Sequence, residues 1–139
     1  MGLRADEIEV GETRETVLVE DLTRTRIVQY AGASGDYNPL HTDELFAREA
    51  AGFPTVFAHG MLTMGMTGRI VTDWVGAERL TSYGARFVGQ VWPGDTLTAT
   101  ATVQAIREED GRALVDLSVV TRNQRGEEVL TGTATARLG

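Results

Sequence analysis

The sequence predicts an α+β fold in which a curved antiparallel sheet of about five strands wraps around one long buried central helix. Two observations carry this prediction. Residues 60–75 (GMLTMGMTGRIVTDWV) are apolar around most of a helical circumference and hold no charge before Arg69, as in an enclosed helix. From residue 80 onward, apolar and polar side chains alternate with the period of half-buried strands. A chain of 139 residues without repeats or linkers is expected to form a single domain, 1–139.

The first half of the chain is expected to supply four elements before the buried helix. In order, they are a strand over 16–20, a helix over 24–31, a loop over 32–41 and a short helix over 42–52. Thr23 and Thr42 are the candidate N-caps of the two helices, because a threonine hydroxyl can accept from the free N–H groups of a first turn. The loop (GASGDYNPLH) is too rich in turn-forming residues for regular structure.

The second half is expected to be a series of strands joined by hairpins. The strands are predicted over 80–87, 96–105, 115–119 and 130–138, with connections at 110–111 and 123–126. Many inward positions are alanine, which leaves room for a helix to lie close. Gly65 and Gly68 each cost a helix about 1 kcal/mol relative to alanine. We therefore expect backbone or ligand to approach the buried helix at these glycines.

Composition excludes several classes of protein. The chain has no cysteine and no lysine, which excludes thiolate catalysis, disulfides, cysteine-ligated metals and lysine Schiff bases. The net charge is −7, and the first 21 residues carry seven acids against two arginines, with no basic face for nucleic acid. No apolar run is long enough to cross a membrane, and the N-terminus lacks the apolar core of a secretory signal. We expect a cytoplasmic protein that binds neither nucleic acid nor membrane.

The chemistry is expected in the stretch that holds the only two histidines, His41 and His59. Asp36 and His41 flank a proline-stiffened turn that can bring a carboxylate and an imidazole into one small volume, the minimum for adding or removing water. A structural pair, in which the acid holds the turn and the histidine fills a pocket, is the alternative. Gly60 begins the buried helix, where free N–H groups favour a developing oxyanion and the missing Cβ admits a ligand carbonyl. The alternative is that Gly60 only allows the helix to begin at this position and has no role in binding a ligand.

Several segments resemble the hydratase-2 motif of MaoC-like proteins: residues 30–43 (YAGASGDYNPLHTD), 52–54 (GFP) and 58–62 (AHGML). The likeness continues through 86–95 (RFVGQVWPGD) and covers essentially the whole chain. The family contains hot-dog-fold (R)-specific enoyl-CoA hydratases and (3R)-hydroxyacyl-ACP dehydratases. The resemblance therefore implies a single hot-dog domain and a hydro-lyase acting on acyl-CoA or acyl-carrier-protein thioesters in fatty-acid metabolism. Within the family, residues 58–65 and 71–76 look most like the catalytic B subunit of the mycobacterial hydroxyacyl-ACP dehydratase.

The resemblance also implies roles for individual residues. Asp36 and His41 match the catalytic pair that activates one water, and Gly60 matches the N–H group that binds the thioester oxygen. Asn38 and His59 match supporting residues of the same motif. No metal and no cofactor are implied. Family members dimerise by joining sheets, so we expect a homodimer or a heterodimer with a related hot-dog subunit.

Other functions stay open at this point. One is a hot-dog acyl thioesterase, although such enzymes generally place a carboxylate on or near the central helix, and here no acid precedes Asp73. A second is a subunit of a heterodimeric hydroxyacyl-ACP dehydratase. A non-catalytic subunit of that kind is expected to lack the Asp–His pair, which this chain has. A third is a module that binds acyl thioesters without turning them over.

Overall fold

The computed structural model describes residues 2–139 and contains one five-stranded sheet, two α-helices and several short helical turns. The helices are α1 (Arg24–Ser34) and α2 (Gly60–Val75). The strands are β1 (Thr13–Val19), β2 (Leu80–Phe87), β3 (Leu97–Glu109), β4 (Arg112–Arg122) and β5 (Glu128–Arg137). Neighbouring strands are antiparallel in the order β1-β3-β4-β5-β2, so the predicted α+β class and the strand count are confirmed. That residues 1–139 form a single domain stays a prediction.

Helix α2 lies against the sheet, and its 16 residues match the predicted range. It shares a core with β3, β4 and β5 that includes Ile70, Val71, Trp74, Val75, Ala99, Ala101, Val119, Ala134 and Ala136. The small alanine side chains let the helix approach the strands closely, as the sequence predicts. The stripe Met61, Gly65, Arg69 and Asp73 stays exposed, because the sheet covers only the sides of the helix that face it. No helix within residues 2–139 is long and apolar enough to cross a membrane.

Helix α2 contains two glycines, Gly65 and Gly68, at which the sequence predicts a close neighbour. Strand β2 approaches the helix closely at Gly68 only. A Cβ on Gly68 would lie 3.2 Å from the ring of Tyr83, and the Tyr83 hydroxyl donates to the Met64 carbonyl at 2.7 Å. Gly65 faces open space, with nothing within 4 Å of a Cβ built there. The expectation of a close neighbour is therefore confirmed for Gly68. At Gly65, which lies on the exposed stripe, no atom within residues 2–139 comes close, and the approach of a ligand there stays a prediction.

The segment before α2 differs most from the sequence prediction. Helix α1 begins as predicted, with Thr23 Oγ1 accepting from the Arg26 N–H at 3.1 Å, but it continues to Ser34 and ends at a left-handed Gly35 (φ 76°). The short helix predicted over 42–52 is present but shorter: residues 44–50 are helical and include the π-helical turn Phe46–Ala50. A separate helical turn, Pro39–His41, precedes it. Asp43 rather than Thr42 supplies the cap, since its Oδ1 accepts from the Phe46 N–H at 3.2 Å.

Candidate active site

Asp36, His41 and His59 converge between the end of α1 and the start of α2. Atoms of their carboxylate and ring nitrogens all lie within 4.8 Å of one another. The two imidazole rings stack with centroids 3.8 Å apart, and both are buried, while Asp36 is exposed. The structure thus brings together an acid and an imidazole that are five positions apart in the sequence, with one side open to solvent.

His41 is held in one tautomer by a main-chain contact. Its Nδ1 lies 2.6 Å from the carbonyl oxygen of Phe57. Because a carbonyl only accepts, Nδ1 carries a proton, and in the neutral ring Nε2 is the nitrogen with the lone pair. Phe57 is held in turn, since its N–H donates to the Leu40 carbonyl at 3.3 Å. The Nε2 atom of His41 is therefore the ring nitrogen that can accept a proton.

Asp36 stands in a turn that fixes its backbone and leaves its carboxylate accessible. Its N–H donates to Ser34 Oγ at 3.2 Å, and its Oδ1 accepts from the Asn38 N–H at 3.3 Å. Its carbonyl oxygen accepts from His59 Nε2 at 3.0 Å. Three contacts from three different residues therefore determine where this acid lies relative to His41.

Asn38 acts on the backbone of the turn and does not join the cluster. Its Oδ1 accepts from the Leu40 N–H at 3.0 Å and caps the short helical turn Pro39–His41. Pro39 stands at the start of this turn, where a missing N–H costs nothing. Asn38 therefore sets the direction in which His41 leaves the loop.

His59 links the acid, the imidazole and the helix. Besides donating to the Asp36 carbonyl and stacking on His41, its ring meets Tyr30 edge-on, with centroids 4.9 Å apart. Although His59 is the N-cap residue of α2, its side chain makes no capping bond, and its buried Nδ1 has no hydrogen-bond partner in the protein. The contacts of the His59 side chain therefore hold the Asp36 loop against the helix start.

Gly60 is the first residue of α2, so no carbonyl one turn earlier can accept from its N–H. A Cβ built on this residue would lie 2.9 Å from the ring of Phe87, at the end of β2. These two residues line a groove with Phe57, Ala58, Val88, Gly89 and Gln90. The first residue of α2, at the positive end of the helix dipole, therefore lines an open groove.

Asp36, His41 and His59 are also the group, among the residues that the structure describes, whose donor atoms could hold a metal ion. Each histidine already uses one ring nitrogen on a main-chain carbonyl. That leaves His41 Nε2, His59 Nδ1 and a carboxylate oxygen as the candidate ligands. The sequence-based expectation that the site needs no metal stays a prediction.

Glu44, in the segment between His41 and His59, has a strongly lowered pKa. Glu44 Oε1 accepts from the Thr55 hydroxyl and from Arg24 Nη2, the latter at 2.9 Å. The Thr55 hydroxyl, together with the Arg24 guanidinium, lowers the pKa of Glu44 from 4.5 to about 2. Glu44 thus ties α1 to the segment that carries the Phe57 carbonyl.

Phe57 and Phe87 matter at the site, and reasoning from the sequence missed both roles. Phe57 acts through its carbonyl, a group that every residue has, so its identity carries no signal. Phe87 follows Arg86 in the segment 86–95 that carries the family resemblance, which is the one signal that pointed to it. The aromatic rings of Phe53, Phe57 and Trp92 pack together next to His41. The ring centroid of Phe57 lies 4.9 Å from that of Phe53 and 5.9 Å from that of Trp92.

A curved sheet packed on one helix, with an acid and an imidazole meeting at the helix start, defines a hot-dog protein with a loop-borne polar site. The chain belongs to the family described as "MaoC like domain", whose profile matches residues 6–124. The resemblance found in residues 30–62 and 86–95 is therefore confirmed.

Named relatives and solved structures agree with this family. Enoyl-CoA hydratase ChsH3 of Mycobacterium tuberculosis is 44% identical over 101 residues, which are 70% of this chain and 32% of that protein. The chain spans 28% to 32% of the length of the first curated relatives it matches. The structure of an (R)-hydratase from A. caviae involved in PHA biosynthesis aligns with a TM-score of 0.84 at 26% identity, covering 97% of this chain and 100% of that one. A chain of the ChsH1–ChsH2 complex from M. tuberculosis aligns with a TM-score of 0.79 at 28% identity, covering 94% of this chain and 98% of that one.

Proposed function

We propose that the protein hydrates trans-2-enoyl thioesters to (3R)-hydroxyacyl thioesters and catalyses the reverse dehydration, with CoA or an acyl-carrier protein as the thiol. One observation carries this proposal: Asp36 and His41 converge with His59, the N-cap residue that directly precedes Gly60 at the start of α2. The names of relatives, an enoyl-CoA hydratase and an (R)-hydratase among them, support the same reaction class. The proposed enzyme is a hydro-lyase of fatty-acid metabolism.

In this proposal, Asp36 and His41 hold one water against C3 of the substrate. The water oxygen forms a bond to C3, and the electrons of the C2–C3 double bond move toward the thioester oxygen. The pair takes one proton from the water and returns one proton to C2, so that water is added without a net change in charge. His41 Nε2 is suited to this exchange because its Nδ1 proton is held by Phe57.

The Gly60 N–H is proposed to bind the thioester oxygen as negative charge develops on it. The positive end of the α2 dipole adds to the same stabilisation. Removing one such donor elsewhere costs about 10²–10³ in rate. Asn38 and His59 are proposed as supporting residues, since both act on the loop that carries Asp36 and His41. The exchange of protons between water and side chains assigns no step to a metal or a cofactor.

We also propose that the protein works in the cytoplasm as a dimer. Strand β2 is an edge of the sheet and is partnered only by β5. The structure named as a ChsH1–ChsH2 complex supports pairing with a related subunit. A homodimer is the alternative form of the proposed dimer. A homodimer of this chain would then contain two candidate active sites, one on each chain.

The test is the decay of enoyl absorbance with crotonyl-CoA, together with the chirality of the product. Asp36→Asn and His41→Ala are each expected to lower turnover by roughly 10²–10⁴. Asp73→Asn is the matched control, because Asp73 is an exposed carboxylate near the far end of α2. Near-native turnover in both site variants would refute the mechanism. Release of free thiol without loss of enoyl absorbance would instead identify a thioesterase.

A further inference from the structure

Two buried polar atoms at the start of α2 have no part in the proposed mechanism. His59 Nδ1 and Thr63 Oγ1 both belong to side chains that are only 2% exposed. Neither atom has a hydrogen-bond partner within residues 2–139. Leaving a buried polar group without a partner is costly, so two of them on neighbouring turns of one helix indicate a specific use.

His59 and Thr63 lie one helical turn apart. The Thr63 N–H donates to the His59 carbonyl at 3.4 Å. Side chains of a helix lean toward its N-terminus, so the Thr63 side chain leans toward the turn that carries His59. A threonine in a helix takes either of two χ1 rotamers, and its hydroxyl can therefore turn without moving the backbone. The two side chains thus share one buried face at the start of α2.

The two atoms are complementary as donor and acceptor. His59 Nε2 carries a proton, because it lies 3.0 Å from the Asp36 carbonyl oxygen, which only accepts. In the neutral ring, Nδ1 is then the nitrogen with the lone pair, and it needs a donor. The Thr63 hydroxyl has a proton to donate. It does not use the common acceptor of a helical threonine, which is the carbonyl four residues earlier.

Thr67 has the same surroundings in the helix but a different partner. It lies one turn beyond Thr63 on the same face, and its side chain is fully buried. Its Oγ1 lies 2.6 Å from the Thr121 hydroxyl on β4, so its hydrogen bond joins α2 to the sheet. The difference between the two threonines makes Thr63 the candidate for a role at the site and Thr67 its matched control.

We propose that Thr63 is a positioning residue whose hydroxyl donates to His59 Nδ1, directly or through one bridging water. This bond stabilises the tautomer in which His59 Nε2 donates to the Asp36 carbonyl. It therefore connects α2 through His59 to the turn that carries the Asp36 carboxylate. Thr63 itself contacts neither substrate nor reacting atoms. The inference deepens the proposed function and rests on it.

Thr63→Val removes the hydroxyl and keeps the shape of the side chain. With crotonyl-CoA, we expect kcat to fall about tenfold, because Asp36 is held less precisely against His41, while KM stays within about twofold. Thr63→Ser restores the hydroxyl and is expected to recover most of the loss. Thr67→Val is expected to leave kcat within about twofold. Equal losses in the two valine variants, or no recovery in Thr63→Ser, would show a merely structural effect and overturn the proposal.

NMR of the ring nitrogens tests the contact without any substrate. The chain has only two histidines, so a His41→Ala sample assigns the signals of His59. In mildly alkaline buffer, we expect the proton of His59 on Nε2 and an Nδ1 resonance typical of a hydrogen-bonded acceptor. Thr63→Val is expected to shift this resonance, and Thr67→Val to leave it in place. Thr63→Ala gives the same comparison if the valine variant does not fold.

Two results of the NMR experiment would contradict the proposal. One is a proton on His59 Nδ1 in the wild-type protein, and the other is an Nδ1 resonance that does not change when the Thr63 hydroxyl is removed. Failure of the proposed function has a different sign, because wild-type protein would then hydrate no enoyl thioester. An active wild-type protein with an unaltered kcat in Thr63→Val would refute the role of Thr63 alone.

Discussion

At the scale of single residues, Gly60 and the ring of Phe87 pack closely together at the start of α2. A Cβ at position 60 would overlap the ring, whereas the same atom at Gly65, five residues further along the helix, would meet nothing within 4 Å. The two glycines therefore have opposite structural roles. Gly60 is required by a neighbour, and Gly65 only weakens the helix.

Gly60→Ala is expected to destabilise the protein by roughly 1–3 kcal/mol, because the new Cβ displaces the Phe87 ring. The double variant Gly60→Ala with Phe87→Ala is expected to recover part of the loss attributable to this overlap. Gly65→Ala is the matched control and is expected to stabilise by up to about 1 kcal/mol. Urea unfolding measures all three. Equal stability of Gly60→Ala and the wild-type protein would contradict this account.

At the scale of elements, the segment 35–59 between α1 and α2 contains only short helical turns and no strand. It nevertheless carries both proposed catalytic side chains, Asp36 and His41. Glu44 supplies one tie, through the Thr55 hydroxyl, Arg24 and the Val56 N–H. Because these donors favour the ionised carboxylate, the pKa of Glu44 falls to about 2 in the folded protein. The link between α1 and the segment 53–58 therefore depends on the charge of one half-buried acid.

Glu44→Gln is expected to lower stability at neutral pH. A depressed pKa stabilises the fold fully above the ordinary value of 4.5, and this contribution is lost as the pH falls toward about 2. The difference in unfolding free energy between wild type and variant should thus shrink over that window. Urea unfolding at a series of pH values measures it, with Glu49→Gln as the control, since Glu49 has no ion pair within residues 2–139. A difference that is constant with pH would contradict the prediction.

At the scale of the whole molecule, the sheet has two edges of different character. The edge strand β1 (TRETVLV) carries Arg14 and Glu15, and charged side chains discourage pairing with another strand. The edge strand β2 (LTSYGARF) has Arg86 as its only charge and ends at the exposed pair Phe87 and Val88. We therefore expect a second sheet to join at β2.

Size-exclusion chromatography with light scattering is expected to give twice the 15.1 kDa mass of the chain. Gly84→Glu places a charge on the β2 edge, at a position where a Cβ meets nothing within 4 Å, and is expected to shift the protein toward monomer. Thr16→Glu is the control on the β1 edge. A monomer at micromolar concentration in the wild-type protein would contradict the proposed dimer.

Much of the fold follows from local patterns. The apolar circumference of residues 60–75 and the alternation after residue 80 predict α2 and the sheet, because these periods match the geometry of a helix and a strand. The short helix predicted over 42–52 is present but begins one residue later than expected, because the Asp43 carboxylate rather than the Thr42 hydroxyl accepts from its first turn. Side-chain caps of this kind depend on loop geometry that residue types alone do not specify.

The sequence by itself determined the fold class and the family, and it predicted the acid, the imidazole and the helix-start glycine of the candidate site. Only the tertiary structure decided that Phe57 selects the His41 tautomer, that His59 holds the Asp36 loop, and that Phe87 occupies the space above Gly60. The physical reason is distance along the chain. Periodicity acts between neighbours, whereas these contacts join residues 16, 23 and 27 positions apart, and folding alone brings them together.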